Sequence, residues 1–227
     1  MRVRTALAVA MALLLGAAAL VSCTPREHEL LRRALFRGEI HGVTAQRLGL
    51  SWRPGCPVGP ADLRLLTVSY WGFDGVGHYG ELVVHRKVAS NVVKAFRTLW
   101  NDRFPIAQMR TADVFLTPDD FDAAGRYIER NELDEANNTS AFMCRQPTAG
   151  SGWSEHSYGR AIDINPVQNP YVKGWLVVPP NGRRDPAAQG TISAGGTVVR
   201  AMAAAGFRWG GTWHSLRDYM HFSTTGR

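Results

Sequence analysis

A chain of 227 residues, 45% hydrophobic and 20% charged, is long enough to bury one good core and is neither a repeat array nor a disordered protein. Its formal net charge of +7 is spread along the chain, with no Lys/Arg run and no alternating basic and aromatic stripe, which argues against a nucleic-acid partner. A modest positive field suits an anionic polymer or a membrane surface, and it serves plain solubility equally well.

The first residues read as a targeting segment. Arg2 and Arg4 precede an apolar run over 6–20, and small residues follow, which is the order of a secretory signal spanning 1–22. The run is too short for a comfortable membrane span. Leu20-Val21-Ser22-Cys23 has the form of a bacterial lipoprotein box, so Cys23 is the expected acylated N-terminus of an extracytoplasmic protein anchored in the cell membrane. Removing Arg2 and Arg4 from the 26 basic residues leaves 24 against 19 acidic ones, a net charge of +5. With Cys23 lipidated, Cys56 and Cys144 remain as an even pair in an oxidising compartment, where a disulfide is the default.

Residues 23–51 are read as a tether, with a short helix around 30–35, and the folded domain as 52–227. It opens in a stretch punctuated by Pro54, Gly55, Pro57, Gly59 and Pro60. Strands are expected at 63–70 and 82–85 around a glycine-rich turn. The segment 86–100 places Val88, Val92, Ala95, Phe96 and Leu99 on one helical face. A short strand over 104–109 leads to Arg110. Thr117 as N-cap, Pro118 at the first helical position and an acid three residues after the cap predict a helix over 118–130. A Pro/Gly-rich stretch over 166–190 reads as a binding loop. A last helix over 192–205 is stopped by Gly206, and a strand follows over 207–209. The architecture expected is α+β, a mainly antiparallel sheet flanked by helices, with the site on its open face.

Chemistry concentrates in two short segments, 154–163 (Ser-Glu-His-Ser-Tyr-Gly-Arg-Ala-Ile-Asp) and 218–222 (Asp-Tyr-Met-His-Phe). Two imidazoles and two carboxylates are what an open zinc site needs, three protein ligands and one free position. The two-residue strand period turns Ile162 and Ile164 inward and Asp163 the other way. A turn at Gly159 brings His156 back toward Asp163, and a turn after Asp218 is expected to feed a final strand at His221-Phe222-Ser223. His78 and His85 form a weaker rival pair in a loop.

The pattern Ser-x-His-x-x-Gly-x-Ala-x-Asp followed by Asp-x-x-His-Phe closely resembles the D-alanyl-D-alanine carboxypeptidase-like zinc peptidases, which include vancomycin-resistance dipeptidases and carboxypeptidases and the L-alanyl-D-glutamate endopeptidases of phage endolysins. The resemblance implies Zn2+ held by His156, Asp163 and His221, Asp218 as catalytic base, Arg110 over the substrate carbonyl and Ser154 lining the site. It implies hydrolysis of peptidoglycan stem peptides, by D-alanyl-D-alanine carboxypeptidase or L-alanyl-D-glutamate endopeptidase action. Arg145 and Trp213 lie near the motifs but stay outside the catalytic set. The competing class is a zinc-containing lipoprotein that binds wall peptides without cutting them; retention of Asp218 speaks against it, because a structural zinc needs no base beside an open position.

Overall fold

The computed structural model describes residues 35–123, 126–128, 131–147 and 152–227. The expected signal segment, the acylated Cys23 and the short helix around residue 30 lie outside them, apart from Leu35 at that helix's edge.

Two long strands form the frame. In β2 (Leu63–Trp71) and β3 (Gly77–His85) apolar residues predominate, and the pair runs antiparallel in register from Leu63↔His85 to Trp71↔Gly77. The turn between them is shorter than expected, closed by a hydrogen bond from Gly72 N to Val76 O. An edge strand, β1 (Gly38–Gly42), pairs antiparallel with β2, and Leu48 in the helical turn α1 (Ala45–Leu48) is 1% exposed. Residues 38–51 are therefore part of the folded domain, and the expected tether is shorter than drawn. The error has a physical cause: β1 (Gly-Glu-Ile-His-Gly) is an edge strand facing water, so its polar residues hide its pairing role.

Helix α2 (Ala89–Asn101) buries Ala89, Val92, Ala95, Phe96, Leu99 and Trp100, the stripe that its spacing predicts, and packs on β2. Among the described residues of 118–130 the expected helix is not formed. Its capping box is real, with Thr117 and Asp120 bonded reciprocally, but it closes only a 3-10 turn at Pro118–Asp120. The Asp122 side chain then accepts from Arg126 N and Phe121 bridges to Tyr127, so the chain doubles back. A carboxylate that captures a nearby backbone N–H competes with helix propagation. A helical turn, α3 (Glu132–Glu135), follows, and the short strands β4 (Gln108–Met109) and β5 (Asn138–Thr139) pair in parallel.

The site-bearing sheet is antiparallel, in the order β6 (Ala161–Asp163), β11 (His221–Ser223) and β9 (Arg208–Trp209). Ile162, Ile164 and Phe222 are fully buried in the same core as Leu66, Leu82, Val92 and Phe96. Each such side chain stabilises the fold by about 1.5–3 kcal/mol, so β6 and β11 are anchored from behind while Asp163 and His221 face away. The stretch 166–190, expected as loop, contains a hairpin of β7 (Tyr171–Lys173) and β8 (Leu176–Val178), and β7 pairs with β10 (Arg217–Asp218). Helix α4 (Thr197–Ala204) starts five residues late, behind a turn closed by Gly196 N on Ser193 O. Mixed helices and mainly antiparallel sheets match the α+β expectation. Among the described residues no helix is long and apolar enough to cross a membrane.

Candidate active site

The site begins in a 3-10 turn, Glu155–Tyr158. Ser154 caps it, its hydroxyl accepting from His156 N at 3.3 Å, and Gly159 ends it at φ +64°. Glycine is needed there both for that left-handed conformation and for space, since a Cβ would stand 2.6 Å from His85 N. The chain then enters β6, and Asp163 is locked by exchanged backbone bonds with Ser140. On its other side β6 pairs with β11 so that Asp163 and His221 are direct partners, which puts both side chains on one face.

Three ligating atoms converge. His156 Nε2 lies 3.0 Å from Asp163 Oδ2, His221 Nδ1 lies 3.0 Å from Asp163 Oδ1, and the two ring nitrogens are 3.3 Å apart. Ligands about 2 Å from a tetrahedral centre stand about 3.3 Å from one another, so the cluster has the dimensions of a compact metal site. The remaining ring nitrogens agree. His156 Nδ1 donates to Ala141 O at 2.5 Å and His221 Nε2 donates to Arg227 O at 2.9 Å, so the other nitrogen of each ring faces the cluster and is the one that would exchange a proton for a metal ion. All three residues are buried. The donor set and its tautomers fit a divalent ion of the zinc type.

Electrostatics reinforce this. Burial alone would raise the Asp163 carboxyl, but the charges and hydrogen bonds of His156 and His221 hold it well below the usual carboxylate range. For His221, burial opposes protonation, yet the Asp163 hydrogen bond and the charges of Asp163 and Asp218 prevail and raise it to about 9. Asp218, on β10 beside the cluster, is pushed up to about 7, first by burial and then by Asp163, against the lowering pull of His221 and Arg145. Its Oδ1 atom is out of contact with solvent and has no hydrogen-bond partner among the described residues. A buried carboxylate oxygen left unpaired beside a cation site is a group held in readiness for a ligand, because an unsatisfied buried acceptor costs about 1–3 kcal/mol.

These residues open into a cleft of about 580 Å3 whose walls include Ser154, Arg145, Trp153, Trp213, Tyr171 and Leu216. The structure thus brings together His156, Asp163, His221, Asp218 and Ser154. It does not bring in Arg110. That side chain is exposed and lines no part of the cleft, while its backbone brackets Asn138, with Arg110 N donating to Asn138 Oδ1 and Asn138 Nδ2 donating to Arg110 O, both at 2.9 Å. The arginines that line the cleft are Arg145 and Arg227, and Arg145 is the one that acts on Asp218. It follows the buried segment 141–144, is held by its backbone N on Ser157 Oγ, and acts on the Asp218 carboxyl. The sequence signal for it was its nearness to the motifs, one residue after Cys144, which is bridged to Cys56 with Cα atoms 5.9 Å apart. His78 pairs with Asp74 at the surface and joins no metal cluster among the described residues.

Residues 148–224 match the family model described as D-alanyl-D-alanine carboxypeptidase. The matched segment contains Ser154, His156, Asp163, Asp218 and His221, and stops short of both Arg110 and Arg145. No solved structure matches the chain.

Proposed function

Because residues 148–224, which carry the site, match the family model described as D-alanyl-D-alanine carboxypeptidase, we propose that this protein is a zinc-dependent peptidase that hydrolyses peptidoglycan stem peptides. The observation that carries the reading is the Asp218 carboxylate beside the three-ligand cluster of His156, Asp163 and His221, with its Oδ1 buried and without a hydrogen-bond partner among the described residues. Zinc held by those three residues supplies Lewis acidity and makes water a nucleophile at neutral pH.

The chain's own groups supply the rest. Asp218, held beside the cluster in a setting where burial raises its carboxyl, is placed for proton transfer: its carboxylate takes a proton from the attacking water and returns it to the leaving amine. Arg145, at the cleft wall, places a fixed charge where the scissile carbonyl gains negative charge or where a substrate carboxylate binds, the part that the sequence assigned to Arg110. Ser154 contributes indirectly, by capping the turn that holds His156. Trp153, Trp213 and Tyr171 offer apolar walls to an extended peptide. We propose further that the segment 1–22 is a secretory signal and that Cys23 is acylated, so that the enzyme works outside the cytoplasm on a membrane anchor.

The experiment is mass spectrometry of defined stem peptides and cross-linked wall fragments after incubation with zinc-loaded protein, beside Asp218→Asn. Loss of a terminal D-Ala identifies a carboxypeptidase, and a break between L-Ala and D-Glu identifies an endopeptidase. Zinc at one per chain with neither product overturns the enzymatic reading in favour of a protein that binds wall peptides without cutting them.

A further inference from the structure

The two histidines of the cluster present different ring nitrogens, and different parts of the chain decide which. His156 turns Nε2 inward because Ala141 O takes its Nδ1–H, and Ala141 lies in a buried segment packed in the main core. His221 turns Nδ1 inward because Arg227 O takes its Nε2–H at 2.9 Å. That second acceptor does not belong to a strand. It sits in a turn after β11 that the Ser223 hydroxyl organises: Ser223 Oγ donates to Arg227 O at 2.7 Å and accepts from Gly226 N and Arg227 N, both at 3.0 Å. Trp213 Nε1 fixes the turn from outside by donating to Gly226 O at 2.9 Å, and Gly226 supplies the left-handed φ of +79° that the bend requires.

Ser223 is completely buried and uses its one donor and both acceptor sites within this turn. We infer that Ser223 and Arg227, through its main-chain oxygen, are positioning residues for the metal site, selecting the Nε2–H tautomer of His221 and its ring orientation so that Nδ1 faces the cluster. The inference rests on the reading of His156, Asp163 and His221 as metal ligands. It makes the short segment 223–227 part of the metal-binding apparatus, with a hydroxyl that never touches the ion setting the donor that does. Partners of this kind typically change metal affinity about 10- to 100-fold.

The test uses full-length protein, Ser223→Ala, and a chain shortened by Arg227. Zinc affinity is read by competition with a chelator, and the ring N–H protons of the zinc-loaded proteins by NMR. The expected result is that wild type binds one zinc per chain and shows two slowly exchanging ring N–H signals. Both variants bind zinc about 10- to 100-fold more weakly and lose the His221 Nε2–H signal to exchange, while the His156 Nδ1–H signal, held by Ala141, persists as an internal control. A general loosening of the fold would remove both signals and is distinguished in that way. If Ser223→Ala does not fold, the shortened chain decides, since it leaves β11 and the Ser223 side chain in place. Variants that keep wild-type affinity and the His221 signal overturn the positioning role alone. A wild-type chain that takes up no zinc overturns the metal reading and this inference together.

Discussion

Asp163 and His221 are direct register partners on two antiparallel strands, and their side chains meet at 3.0 Å, Oδ1 to Nδ1, although 58 residues separate them in sequence. A carboxylate from one strand and an imidazole from its neighbour are thereby held by backbone pairing, backed by Ile162 and Phe222 in the core. Asp163→Ala is expected to abolish stoichiometric zinc binding. In the metal-free protein it leaves a buried histidine pair without its counter-charge, a loss of about 3 kcal/mol read by urea denaturation at pH 7.

Asp218→Asn keeps the volume of the side chain and removes its ability to accept a proton. Zinc affinity is expected to stay within a few fold, because Asp218 is not a ligand, while kcat/KM on the cleaved stem peptide falls about 100- to 10,000-fold. Parallel chelator competition and steady-state kinetics check this. A variant that keeps most of its activity removes Asp218 from the proton-transfer role.

Arg145 and Arg110 make opposite predictions. Arg145 lines the cleft and Arg110 points to solvent elsewhere, so Arg145→Ala is expected to lower kcat/KM about 100- to 1000-fold and Arg110→Ala to leave it within about twofold. The same steady-state assay on both variants decides between the arginine that the motif resemblance suggests and the one that the tertiary structure presents.

The pH dependence of the metal-free protein follows from two raised groups. A histidine whose pKa goes from 6.5 unfolded to about 9 folded takes up a proton on folding, so the contribution of His221 is fully present below about pH 6.5 and lost as the pH climbs through about 9. The raised Asp218 carboxyl behaves likewise over a lower range, its contribution present below its ordinary value of 3.8 and lost as the pH rises through about 7. Thermal unfolding of the metal-free protein is therefore expected to show a falling Tm between pH 6.5 and 9, worth about 3 kcal/mol from His221. Zinc-loaded protein should not show the fall, because its histidines are held unprotonated. Zinc uptake at pH 7 should release about one proton, measurable by calorimetry in buffers of different ionisation enthalpy.

The Cys56–Cys144 bridge closes a sequence separation of 88 residues and ends one residue before Arg145. In the loop-entropy model such a link constrains the unfolded chain by about 4–5 kcal/mol. Reduction is expected to lower Tm and to raise KM before the protein unfolds, since the Arg145 segment loses its tie. Scanning calorimetry and kinetics with and without reductant check both effects.

The sequence by itself determined what a few neighbouring residues can encode. The hydrophobic stripe of α2, the apolar run and turn of the β2–β3 hairpin, the inward Ile162 and Ile164 on either side of Asp163, and the chemistry of the two motif segments all depend on periods of two or 3.6 residues, which are legible without knowing the fold. The Cys56–Cys144 pairing was expected from the sequence once Cys23 was set aside as the acylated residue, and the structure has that bridge. The tertiary structure alone decided matters that depend on distant partners. It put Arg145 and not Arg110 in the cleft wall, recruited 38–51 as edge strand and helical turn, and among the described residues left one turn, at Pro118–Asp120, of the predicted helix over 118–130, beside an Asp122 that captured a backbone N–H. It buried one oxygen of Asp218 without a partner among the described residues, and it turned the two rings through main-chain oxygens of Ala141 and Arg227. Strand and helix periods are local steric properties of the backbone, whereas a donor or acceptor that must reach a particular atom 15 or 58 residues away is specified only when the core closes the intervening loops.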